Sequence, residues 1–267
     1  MLKKMLWKRI LTALIGIPVL IYVFQQSGIL LLSAVIILVI LGLTEYKKIV
    51  SQAGFQNMYI PLWLGGVIIP FTVQYNNNLT ALAVFIYLVV TVVYYLIKHP
   101  YFTPIDLSLS FLGFIYIVVG FLHLLLLRGL QQGFWLIIFV FVVVWSTDTA
   151  AYFVGTYFGK HNLAPAISPK KTWEGFIGGI LFSMLMVFIL VNTANMNNAK
   201  LLLVLTPIIS LSGQLGDLFE SALKRFAGIK DSGNIIPGHG GVLDRFDSTL
   251  LAAPFTYQLV VFLERLF

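Results

Sequence analysis

Nine apolar runs, separated by short polar stretches, set the plan of this chain. They cover approximately residues 10–24, 29–43, 59–74, 79–97, 107–127, 134–153, 175–191, 201–218 and 249–266, and the first three are short or interrupted by Pro or Gly. A helix of roughly 17–25 apolar residues crosses a hydrocarbon core about 30 Å thick. Backbone groups in that core must bond within the segment, so the runs predict helices. The expected fold is therefore all-α: a polytopic integral membrane protein of about nine transmembrane helices. Two longer polar stretches fall between runs six and seven and between runs eight and nine. They are expected as loops over 154–174 and 219–248, too polar for lipid and too rich in Gly and Pro to be helical throughout.

Composition agrees with this pattern. The mean hydropathy is +0.95, and 10% of residues are charged against about 25% in soluble domains. The basic start MLKKMLWKRI leads into the first run without a small-residue cleavage site, so that run reads as a span, not a removable signal. Cysteine is absent, which leaves oxygen or imidazole to hold any metal. Cytoplasmic loops retain Lys and Arg. With the N-terminus inside, only Arg128, Lys200 and Arg265 of the 17 cations fall outside, and an odd number of spans puts the C-terminus outside. The net charge of +7 then marks a cytoplasmic face suited to anionic lipid and phosphate, and nucleic acid is not needed to explain it.

The acids are distributed unevenly. Glu45 is the only one before Asp106, so residues 1–105 read as a transmembrane scaffold and 106–267 as the functional region. Asp148, in VVVWSTDTAAYF, and Asp217, in SLSGQLGDLFESALKR, lie at the inner ends of spans. A carboxylate there is costly unless hydrated, paired or bound to metal. Asp148 also reads as a helix-end acid reaching interfacial water, and Gly213 and Gly216 as a packing seam that brings Asp217 against another span. Asp244 and Asp247 share a helical face in LDRFDST, where Asp247 equally suits a capping role in a first turn. Several carboxylates at one depth repel unless a cation joins them, and oxygen-only ligation suits Mg2+.

The cations call for an anionic partner. Lys170 and Lys171 precede Thr172, which is placed to cap a helix beginning at Trp173 and so to offer an anion both ammonium groups and free amides. Lys224, Arg225 and Lys230 add charge, although positive-inside bias alone accounts for Lys47 and Lys160. Gly233, Gly238, Gly240 and Gly241 would let amides approach a phosphate, with His239 among them as a phosphate donor or base, or as an incidental loop residue. His123, in the fifth run, reads as a packing or lipid-facing residue. Zinc-type His-Glu pairs, Walker loops and nucleophile elbows are not seen.

The spacing of Ser221, Leu223-Lys224-Arg225, Lys230-Asp231, Gly233, Ile236-Pro237, His239-Gly240-Gly241-Val242 and Asp244-Arg245-Phe246-Asp247 resembles the signature of the phosphatidate cytidylyltransferase (CDP-diacylglycerol synthase) family. The likeness extends to SPKKTWEG and to the aspartates of STDTAAYF and GQLGDLFES, covering roughly 140–255. It implies an enzyme of phospholipid biosynthesis that joins CTP and phosphatidate into CDP-diacylglycerol and pyrophosphate, using Mg2+ with room for a second cation. By that resemblance Asp217 and Asp244 are principal metal ligands, with Asp148 and Asp247 nearby. Asp217, Asp244, Lys224 and Arg225 would act in catalysis. Lys224 and Arg225, together with Ser168, Lys170, Lys171, Ser221, Lys230, His239, Gly240, Gly241 and Arg245, would bind the phosphates of CTP and phosphatidate. The expected location is the inner (plasma) membrane as a multi-pass protein, with the site at the cytoplasmic face. Membrane lipids and the two substrates are the expected partners, and a homodimer is among the assemblies left open. A transporter would show paired interrupted halves, which are not seen. A CTP-dependent lipid kinase or a head-group transferase differs in its products.

Overall fold

Apolar positions spaced three and four apart wind the chain into helices α1 (Leu2–Gln25), α2 (Ile29–Gln52), α3 (Tyr59–Tyr75), α4 (Thr80–Lys98), α5 (Pro104–Gly113), α6 (Val119–Arg128), α7 (Gly133–Phe158), α8 (Trp173–Thr193), α9 (Ala199–Phe226) and α10 (Leu243–Glu264). The computed structural model describes residues 2–196, 199–233, 235 and 240–264, with the side chains of 2–13 and 264 outside the description. Among the described residues seven helical stretches are long and apolar enough to cross a membrane: Ile29–Gln52, Asn77–Lys98, Pro104–Arg128, Gly133–Phe158, Trp173–Thr193, Ala199–Phe226 and Leu243–Leu263. This is a polytopic helical membrane protein. The first expected run lies within α1, and the third appears as the shorter apolar helix Tyr59–Tyr75. With 17 residues, α3 reaches about 25 Å at ~1.5 Å per residue, less than a typical hydrocarbon core.

Several helices outlast their apolar runs. α7 continues to Phe158 and α9 to Phe226, and α10 begins at Leu243, so the polar connections are shorter than hydropathy indicates. The added turns of α9 read ESALKRF, rich in strong helix formers, with Lys224 and Arg225 in the last turn where cations complement the helix dipole. Asp244 sits in the first turn of α10, at the complementary end. The connection from α7 to α8 adds a small antiparallel hairpin to the helical fold, β1 (Asn162–Ala164) against β2 (Ser168–Thr172). Its base is closed by the Trp173 amide donating to the His161 carbonyl at 2.9 Å and by a 2.6 Å His161–Glu174 contact.

The chain divides into two units. The first comprises Met1–Leu126 and Leu223–Phe246, the second Leu127–Ala222 and Asp247–Phe267. In the first, α2 buries Leu31, Leu32, Val35, Val39, Leu43, Tyr46, Ile49 and Val50, a helical stripe that also includes Glu45. Tyr46 lies over Gly113, where a Cβ would stand 2.6 Å from its ring, and its hydroxyl donates to the Leu109 carbonyl. The start of α5 is fixed by a capping box between Thr103 and Asp106, with Pro104 in the first turn. Asp106 also accepts the Gln56 amide at 2.7 Å, which ties the α2–α3 connection to α5. A π-helical turn at Phe114–Val118 joins α5 to α6, and Phe114 stacks on Tyr87 of α4.

In the second unit α7 and α8 meet along small residues. A Cβ on Gly175 would stand 2.6 Å from the Ala151 carbonyl oxygen, and one on Gly179 2.9 Å from that of Thr147. Close backbone approach of this kind is the ordinary packing mode of helices in lipid. Thr147 and Ser210 share a buried 2.7 Å hydrogen bond between α7 and α9.

Candidate active site

Each unit contains a lysine–aspartate pair drawn from the sequence candidates. In the first unit the chain turns off the end of α9 two residues past Phe226, at Gly228, whose φ of 68° suits glycine. The amides of Gly228 and Ile229 turn back to the carbonyls of Arg225 and Lys224, a glycine-terminated helix end. Lys224, on the last turn, donates to Asp244 Oδ1 at 2.7 Å, and the two side chains are 11% and 8% exposed. Asp244 is heavily engaged. Its Oδ2 accepts the Ser232 amide at 3.0 Å, the Ser232 hydroxyl at 2.9 Å and the Gly241 amide at 2.8 Å. The amide that the glycine pattern reserves for a phosphate is thus used, at Gly241, to seat Asp244. Gly240 has a φ of 87°, and a Cβ there would meet Asp244 Oδ2 at 2.8 Å.

Behind this loop stands Glu45, fully buried in the C-terminal half of α2. Its Oε1 accepts the Val242 amide at 2.9 Å, and its Oε2 accepts the Leu243 amide at 2.8 Å and the Ser232 hydroxyl at 3.1 Å. Neither Glu45 nor Ser232 stood among the sequence candidates. The missed signal for Glu45 is its solitude: a lone carboxylate in an apolar span marks function by default, the same rule that singled out Asp148.

In the second unit the hairpin carries Lys171 to Asp217, Nζ to Oδ2 at 2.6 Å, both side chains about a quarter exposed at 26% and 28%. Thr172 caps α8 as expected, its hydroxyl accepting the Gly175 amide at 3.1 Å. Ser221, one turn below Asp217, donates to Oδ1 at 3.4 Å. Gly216 fulfils the packing expectation: a Cβ there would stand 2.5 Å from the Asp247 carbonyl oxygen, so α9 and α10 cross backbone to backbone beside Asp217. The Asp247 carboxylate accepts its neighbour Ser248's amide at 2.7 Å and feels the negative charges of Asp217, Glu220 and Asp148. Glu220, wholly buried, is a further member of this acidic group that the sequence pattern did not select.

The remaining candidates are less buried. Asp148, Lys170, Arg225, Lys230 and Arg245 are exposed and Ser168 is half-buried, and Arg225 spends one N–H on the Ile229 carbonyl. His239 and Gly238 lie outside the described residues, as does Arg265. Among the described residues no three His, Asp or Glu side chains are arranged as a metal cage. The chemistry of the second unit's acids nevertheless fits a hard divalent cation: all donors are carboxylate oxygens, and their like charges act on one another.

The sequence matches the cytidylyltransferase family over residues 7–263. It is 36% identical over 265 residues to the phosphatidate cytidylyltransferase of Staphylococcus saprophyticus, covering 95% of this chain and 98% of that protein. The proteins of the same name from Staphylococcus haemolyticus and Staphylococcus aureus strain COL are 35% identical over 260 residues and 36% over 262, with the same coverage of each chain.

Proposed function

This chain belongs to the cytidylyltransferase family, and we propose that it transfers CMP from CTP to phosphatidate, giving CDP-diacylglycerol and pyrophosphate. The observation that carries this reading is the near full-length likeness to relatives bearing that name, with the signature acids and cations in place in this sequence. An anionic phosphatidate oxygen attacks the α-phosphorus of CTP. The α–β bridging bond breaks, and the β and γ phosphates leave together as pyrophosphate. The attacking oxygen is already deprotonated, so the protein's work is alignment and neutralisation of charge.

Lys171 and Lys224, each paired with an aspartate, would turn to phosphate oxygens, with Lys170, Arg225, Lys230 and Arg245 supplying further charge around them. Asp217, with Asp148 and Asp247, would hold Mg2+, which neutralises the developing charge of the transition state when bound. Asp244 is the other ligand expected from the family signature, and metal there would exchange with Lys224 and the loop donors. Ser168, Ser221, Gly240 and His239 remain assigned to phosphate contacts by the same likeness.

CTP labelled at the α or the γ phosphate separates this reaction from lipid phosphorylation. With phosphatidate, Mg2+ and purified protein, α label enters the chloroform-soluble lipid and γ label appears in water-soluble pyrophosphate. Recovery of γ label in the lipid would overturn the reading.

The proposed arrangement in the plasma membrane has nine spans, a cytoplasmic N-terminus, an external C-terminus and the site at the cytoplasmic face. Its support is the cation asymmetry of the sequence. Reporter fusions at Asn77, Asn195 and the C-terminus all give an external signal on this arrangement. A cytoplasmic signal at Asn195 reverses the placement of the lysine–aspartate groups.

A further inference from the structure

We propose that Glu45 is a positioning residue for cytidylyl transfer, an anchor on α2 that holds the signature loop in its working shape. This rests on the cytidylyltransferase reading. The Glu45 carboxylate lies 187 residues from Ser232 and 198 from Leu243 in sequence, yet accepts three hydrogen bonds from the loop and from the first residue of α10. A buried carboxylate costs free energy unless it is fully hydrogen-bonded, and here backbone amides of successive residues meet its two oxygens. Charge-assisted bonds of this kind are stronger and more directional than neutral ones. The helix dipole adds to them, since Glu45 faces the N-terminus of α10.

Ser232 joins this anchor to the reacting groups. Its hydroxyl lies 3.1 Å from Glu45 Oε2 and 2.9 Å from Asp244 Oδ2, so its single proton serves one carboxylate at a time while its amide stays on Asp244. Asp244 in turn holds Lys224. The position of a phosphate-binding lysine is thereby referred through Asp244 and Ser232 to a residue in the N-terminal helices. Two signature glycines are shaped by the same anchor. A Cβ on Gly233 would stand 2.7 Å from Glu45 Oε1, and one on Gly241 would meet Glu45 Oε2 at 2.5 Å as well as the Ser232 hydroxyl. These glycines make room for a carboxylate belonging to the protein itself.

Glu45→Gln tests the anchor, because an amide offers one acceptor where two backbone N–H groups require one each. In purified full-length protein kcat falls roughly a hundredfold, the cost of a small misplacement of reacting groups. KM for CTP and phosphatidate changes little, since the lost interaction is one of transition-state geometry. Hydrogen exchange at the Val242 and Leu243 amides accelerates. Glu45→Asp keeps both oxygens and recovers part of each effect. Gly233→Ala is damaging alone, whereas Glu45→Ala with Gly233→Ala is no worse than Glu45→Ala, because the collision has been removed.

Wild-type exchange in Glu45→Gln overturns the inference whatever the turnover. So does a kcat loss accounted for wholly by loss of folded protein, or additivity of the two alanine substitutions. A wild-type protein that transfers no CMP, but in which exchange responds to Glu45→Gln, sinks the functional reading and leaves the anchor standing.

Discussion

Asp217→Asn lowers CMP transfer by roughly a thousandfold, at the upper end of what one electrostatic stabiliser contributes, and leaves a folded membrane protein. The fold survives because both members of the Lys171–Asp217 pair are partly exposed. The ammonium is covered while paired, but its flexible stem lets it turn to water once the carboxylate charge is gone, so the stability cost is about 1 kcal/mol or less. Turnover suffers far more because the charge proposed to hold Mg2+ is lost, beside an Asp247 that also feels Asp148 and Glu220. Metal affinity is weakened but not abolished, so raising Mg2+ recovers part of the rate. A Mg2+ titration of turnover beside a melting curve in the same detergent measures both quantities. Near-normal turnover at ordinary Mg2+ would remove Asp217 from the proposed ligand set.

The parts of this site that were legible in the sequence depend on local signals. Hydropathy located the helical runs, and the Thr172 cap followed from the residues beside it because an N-cap is written within one turn. Gly216 was recognisable as a seam because small residues at helical spacing have few other uses in lipid. The helix ends were less legible. α7 and α9 carry their hydrogen bonding past the apolar run, and hydropathy measures lipid contact, not helicity. The hairpin at 162–172 was read only as an irregular loop, since its pairing spans few residues and includes Pro169. Glu45 illustrates the deeper limit. Its partners come from a distant part of the chain, so the local pattern around it shows an apolar helix with one acid and nothing of what that acid holds.

The Lys224–Asp244 pair should respond in the opposite way to the Lys171–Asp217 pair. Asp244→Asn leaves Lys224 with its charge in a pocket where the side chain is only 11% exposed. It also replaces one carboxylate oxygen by an amide N–H donor facing the existing loop donors. Removing one partner of a buried pair costs about 3–5 kcal/mol, so the yield of folded protein and its melting temperature should both drop. Mg2+ should recover little, because the loop that Asp244 seats is lost together with the proposed ligand. Adding Lys224→Met separates the two consequences. Replacing both members of a buried pair by uncharged groups of similar size is often close to neutral for stability, so Asp244→Asn with Lys224→Met melts near the wild-type temperature. Turnover stays lost, since the lysine that was to meet a phosphate is gone. A double variant as unstable as Asp244→Asn would show that Asp244 stabilises the protein through Ser232 and Gly241 more than through Lys224. A double variant that transfers CMP at the wild-type rate would remove both residues from the proposed machinery.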